Sequence, residues 1–108
     1  MRLYGLKNCD TCRKARAALA AAGHDVDFVD VRETPISPAT LARFLDGFGD
    51  ALVNRRSTTW RGLSEEARAA APVDLLSAHP ALMKRPLIEA DGALYLGWDA
   101  ATRAALLP

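Results

Sequence analysis

Two cysteines, Cys9 and Cys12, stand three residues apart in Lys7-Asn8-Cys9-Asp10-Thr11-Cys12-Arg13-Lys14, and the chain has no others. A thiol pair at this spacing suits thiol–disulfide exchange. One thiolate attacks a disulfide, and the second sulfur, one helical turn on, can reach the resulting mixed disulfide. The chemistry requires a thiolate at the first sulfur. A cysteine at a helix N-terminus meets unpaired N–H groups and partial positive charge, which pull its pKa below the free value of about 8.5. Lys7, Arg13, Lys14 and Arg16 add positive charge close by. Arg13 and Lys14 in a first helical turn oppose the helix dipole, at a cost of roughly a few tenths of a kcal/mol, which is easier to understand if an anion forms there.

Two blander uses of the pair compete. A lone Cys-x-x-Cys can be half of a zinc site, but zinc takes four ligands, and His24 and His79 each follow a different helix at unsuitable spacings, so no metal is expected. Free cysteines are also often inert core residues. The polar residues around this pair argue for exposure instead.

The elements around the pair must place Cys9 at a helix start. Leu3-Tyr4-Gly5-Leu6 is a strand candidate just before it. From Thr11 to Ala22, the residues Ala15, Ala18, Leu19 and Ala22 form an amphipathic stripe that Gly23 can end. Val26–Val31 reads as a second strand, completing a right-handed parallel βαβ unit. Ser37 and Pro38 open a helix with Leu41, Phe44, Leu45 and Phe48 on one face. Asn54–Thr59 reads as a polar loop, Ser64-Glu65-Glu66 as a helix start, and Pro72 as an interruption before a short helical stretch. Pro86–Ala90 and Ala93–Leu96 flank Asp91-Gly92, the signal of a type I′ hairpin. Asp99 can cap a last helix over residues 100–107. The order predicts an α/β fold: a thioredoxin-like βαβ…ββα with a central helical insertion and a mixed four-stranded sheet, in one domain over residues 1–108.

Composition narrows the function classes. The chain has 108 residues, half of them apolar, enough for a core without disulfide staples. A net charge of +1 and few aromatics give no case for nucleic acid or a membrane surface. No stretch approaches the roughly 20 apolar residues of a membrane span, and the N-terminal apolar run is too short for a signal peptide. A cytoplasmic protein is expected, and a monomer, since no apolar surface stripe demands a partner.

Three ordered segments carry a resemblance. They are Tyr4–Thr11 with Arg13-Lys14-Ala15-Arg16, Leu52–Leu63, and Met83–Ile88. Together they resemble the YffB-like branch of the ArsC/Spx family, essentially end to end. The resemblance implies a thioredoxin fold with a helical insertion and Cys9 as nucleophile. It implies that Arg85 and Arg56 bind an anion, since a guanidinium offers paired donors to an oxyanion or carboxylate. Arg55, adjacent to Arg56, is the alternative match for that position. Pro86 falls where such folds place a cis proline facing the active cysteine. Trp60 and Trp98 could line the cleft or simply pack.

Three activities share this scaffold. The residues favour a glutathione-dependent thiol reductase, with Cys12 or glutathione as the resolving thiol and no bound cofactor. The partners would be glutathione and a small oxidised thiol or oxyanion, with glutaredoxin a further candidate. Arsenate reduction is the second reading. The glutaredoxin-coupled arsenate reductases carry a His-Asn-Pro lead-in where this chain has Gly5-Leu6-Lys7, and a third arginine near the place of Gly97. The third reading is an Spx-like regulator that binds RNA polymerase and uses the Cys-x-x-Cys pair as a redox switch.

Overall fold

A computed structural model describes all 108 residues. In chain order the elements are β1 (Arg2–Gly5), α1 (Asp10–Ala21), β2 (Asp27–Asp30), α2 (Pro38–Phe48), α3 (Thr58–Arg61), α4 (Glu65–Arg68), α5 (Pro72–Ala78), β3 (Leu87–Ala90), β4 (Ala93–Leu96) and α6 (Ala100–Leu106), with 3₁₀ turns at Gly49–Leu52 and Pro80–Leu82. They fall into two compact units. One joins Met1–Val31 to Arg85–Pro108, and the other is Arg32–Lys84, the helical insertion.

The first unit is built on a mixed four-stranded sheet in the order β2-β1-β3-β4. β1 pairs parallel with β2, as a βαβ crossover demands, and antiparallel with β3. β3 and β4 form the hairpin that Asp91-Gly92 predicted. Both turn residues take positive φ, 50° and 80°, as a type I′ turn requires. α1 buries Cys12, Ala15 and Leu19, an i, i+3, i+7 stripe, and its end is marked by Gly23. Leu3, Ala15, Leu19, Ile88, Ala90 and Leu106 form the buried cluster, with Phe28, Tyr95 and Trp98 packed against it. Asp99 caps α6 by accepting the Thr102 N–H at 2.9 Å.

The second unit begins as the sequence predicts. Ser37 Oγ accepts the Thr40 N–H at 3.2 Å, Pro38 opens α2, and Leu41 and Phe44 are buried. Two local readings need correction. Thr58 and Thr59 are not loop: Ser57 Oγ accepts the Trp60 N–H at 3.2 Å and starts α3, a serine cap inside what reads as a polar run. Pro72 does not interrupt a helix but opens α5, where its missing N–H costs nothing. Paired bonds, Asn54 N–H to the Leu82 carbonyl and Lys84 N–H to the Leu52 carbonyl, each 2.8 Å, close this unit around the Val53–Met83 bridge. No helix is long and apolar enough to cross a membrane.

Leu19 is fully buried at the centre of the first unit's core. Leu19→Ala should lower the free energy of urea unfolding by about 3 kcal/mol, the cost of lost transfer energy plus a cavity. A loss well under about 1 kcal/mol would show that α1 does not depend on this contact.

Candidate active site

Cys9 is the N-cap residue of α1, with extended backbone (φ −93°, ψ 118°), so its side chain stands over the helix start. The loop before it is tied down twice. The Cys9 N–H donates to the Leu6 carbonyl at 3.2 Å, and the Lys7 N–H donates to Asp30 Oδ2 at 3.0 Å. Asp30 closes β2, which lies beside β1, so the sheet itself holds the loop. Neither cysteine is in a disulfide; Cys9 is half-buried and Cys12 fully buried.

The Cys9 sulfur is subject to opposing effects. Burial, the largest, disfavours the thiolate. The Cys12 backbone N–H, the Cys12 thiol and the Arg85 guanidinium together outweigh it, and the pKa lies below the ordinary cysteine value. Cys12 behaves oppositely: burial, and then the proximity of Cys9, push its thiol up to about 11, although the Leu6 backbone N–H works against this. The pair is therefore asymmetric. One accessible sulfur has its thiolate favoured, and one buried sulfur holds its proton more tightly than an ordinary cysteine.

Arg85 reaches this place through the sheet. β1 ends at Gly5, and the antiparallel β3 opens with Leu87 opposite Tyr4. Residues just before Leu87 therefore lie alongside the chain that leaves β1 toward Cys9. The Arg85–Pro86 peptide bond is cis, as the resemblance implies, and the Gly97 N–H donates to the Pro86 carbonyl at 2.8 Å. Gly97 is buried with φ 85°, so the place of a third arginine holds backbone only.

The other predicted residues make contacts of their own. Arg13 is exposed and donates to Asp10 Oδ1 at 2.9 Å, one helical turn away. Lys7 is exposed, and it is its backbone that serves the loop. Arg16 stacks on Phe28, 4.6 Å from the ring centroid. Arg56 is exposed in the second unit, its N–H held by Asn54 Oδ1 at 3.1 Å. The guanidinium groups of Arg55 and Arg68 each lie over the Trp60 ring, 5.3 Å from its centroid. Trp98 packs on the core of the first unit. The expectation that a polar surround exposes both cysteines is corrected for Cys12. It stands three residues before Ala15, on the stripe that faces the sheet, and no part of it reaches solvent. Asp30 was not singled out from sequence, and only its position at the end of a strand hinted at it. No group of side chains suited to a metal ion is present.

The model of the ArsC family matches residues 4–106. An uncharacterised protein of Haemophilus influenzae is 37% identical over 102 residues, covering 90% of each chain. The global transcriptional regulator Spx of Bacillus subtilis is 30% identical over 106 residues, covering 90% of this chain and 79% of the regulator. Among solved structures, a YffB protein superposes with a TM-score of 0.88 at 34% identity, covering 99% of this chain and 98% of the other. An arsenate reductase-related protein of Brucella melitensis superposes with a TM-score of 0.75 at 40% identity, covering 96% and 91%.

Two measurements follow from the electrostatics. Alkylation of Cys9 should reach half its maximal rate below the pH of an ordinary cysteine, and Arg85→Gln should move that midpoint upward. An unchanged midpoint would remove Arg85 from the site. Cys12 contributes a second signature. Its folded-state pKa of about 11 lies above the ordinary 9.0, so the stability held by its proton is complete below about pH 9 and lost as pH rises toward about 11. Urea unfolding across that window should therefore weaken more steeply in the native protein than in Cys12→Ala.

Proposed function

Because the chain belongs to the ArsC family, we propose that it is a glutathione-dependent thiol–disulfide reductase with Cys9 as its nucleophile. The observation that carries the reading is the asymmetric sulfur pair at the start of α1, with Arg85 beside the accessible member. Relatives described as arsenate reductase-related support thiol-based reduction as the family's chemistry.

The cycle begins when the Cys9 thiolate attacks a glutathione mixed disulfide. A Cys9–glutathione disulfide forms, the substrate sulfur leaves as a thiolate, and a proton from solvent neutralises it. Attack is in line through the two sulfurs and needs no cofactor. Two resolving routes are open. Glutathione thiolate can attack the Cys9 adduct, regenerating the Cys9 thiolate and releasing oxidised glutathione. Alternatively Cys12 loses its proton and attacks Cys9, releasing glutathione thiolate and leaving a Cys9–Cys12 disulfide, which two further glutathione molecules reduce.

Cys12 is timed by its neighbour. Charge on Cys9 is one of the effects that hold the Cys12 proton. Once Cys9 is in a mixed disulfide that charge is gone, and Cys12 ionises more easily than before. Burial still opposes it, which favours glutathione as the working resolving thiol. Arg85 steadies the anionic partner, and the exposed charges of Lys7 and Arg13 draw the glutathione carboxylates toward the protein.

Arsenate reduction draws on the same thiolate but would lack a third guanidinium, since Gly97 has no side chain to offer. The regulator reading is favoured by one observation, the Cys-x-x-Cys pair in a chain 30% identical to Spx. Binding of the RNA polymerase α subunit in either redox state would support it. In the decisive assay, turnover of a glutathione mixed disulfide should fall to background in Cys9→Ser and persist in Cys12→Ser. Persistence in Cys9→Ser would end the reductase reading, and efficient arsenate turnover with glutaredoxin would reorder it.

A further inference from the structure

Gly5 is the last residue of β1 and is buried. A β-carbon placed on it would lie 2.5 Å from Cys12 Sγ and 3.2 Å from Cys12 Cβ. The first is a distance that real β-carbons do not show, and the second is tighter than most. The sulfur therefore occupies space that any other residue at position 5 would fill. A glycine inside a strand weakens the strand, and a close approach by another part of the chain is the usual reason for one. Here the φ of Gly5 is not in the left-handed region, so backbone freedom is not the reason. What the missing side chain provides is room for the first turn of α1.

We propose that Gly5 is the positioning residue of the site: by leaving the Cys12 sulfur seated against β1, it holds both the Cys12 thiol and the Cys12 backbone N–H where they meet the Cys9 sulfur. The inference rests on Cys9 being the attacking sulfur, but not on what it attacks. Cys12 is fully buried, and protein interiors are close-packed. Turning the side chain would move Sγ but not Cβ, which would still lie 3.2 Å from the new β-carbon and have to give by a few tenths of an ångström. The residue must retreat from the strand and take its N–H with it. Both groups would then bear less closely on Cys9, and the thiolate would lose two of its supports. The action is indirect, through Cys12, and Gly5 itself touches no reacting atom.

The test is the pH dependence of Cys9 alkylation by iodoacetamide, followed by peptide mass spectrometry. Four proteins are compared: native, Gly5→Ala, Cys12→Ala, and Gly5→Ala with Cys12→Ala. Gly5→Ala should move the Cys9 midpoint upward, and Cys12→Ala should do the same by removing the thiol. Adding Gly5→Ala to Cys12→Ala should then move it clearly less than in the native background, because the sulfur at 2.5 Å is gone and only the 3.2 Å contact with the β-carbon of residue 12 remains. Such non-additivity is the mark of residues that act through one contact. An upward shift from Gly5→Ala of equal size in both backgrounds, no shift, or a downward shift in the native background would overturn the proposal. If Gly5→Ala does not fold, the double variant decides: recovery of folding when the sulfur is removed supports the seat, and continued failure to fold overturns it. Loss of glutathione turnover with a normal Cys9 midpoint would count against the reductase reading alone, so the two failures are distinguishable.

Discussion

The Cys9 sulfur is half-buried, and burial alone would raise its pKa. Every other feature of the first unit bears on how that penalty is overcome. Three groups do it: an amide one turn into α1, the thiol of Cys12, and the guanidinium of Arg85. Two belong to the same residue, so the placement of Cys12 matters as much as its chemistry. Remove the tight approach of α1 to β1 and the thiolate keeps only Arg85.

The sheet supplies what the helix cannot. β1 carries the chain into the Cys9 loop, and β2 contributes Asp30, whose carboxylate holds the Lys7 N–H. β3 runs back beside β1 and starts at the same end, with Arg85 just ahead of it. Gly97, at the close of β4, fixes the Pro86 carbonyl. Four strands thus converge on one end of the sheet, and the sulfur chemistry sits where they meet the start of α1.

Much of this was legible in the residues. The α1 stripe, the Ser37 cap and the Asp91-Gly92 turn are local signals, and local rules read them correctly. What local rules could not supply was the identity of the cation. Arg13 and Lys7 are the basic residues nearest in sequence, yet Arg13 is engaged with Asp10 and the charge acting on Cys9 comes from Arg85, far along the chain. Only antiparallel pairing of β1 with β3 brings it there, and pairing is a non-local event. The burial of Cys12 was readable in principle, since it extends the Ala15 and Leu19 stripe by one step. Its polar neighbours masked that periodicity. Ser57 was likewise hidden, because a cap and a loop share the same residue types.

The division of the chain at Val31 and Arg85 has a consequence for descent. Cys9, Cys12, Gly5 and Arg85 all belong to the unit that flanks the insertion. Drift within residues 32–84 leaves every one of these four positions untouched. One sulfur engine can in this way be inherited unchanged while the inserted cassette diversifies, and a reductase and a regulator can descend from a common chassis.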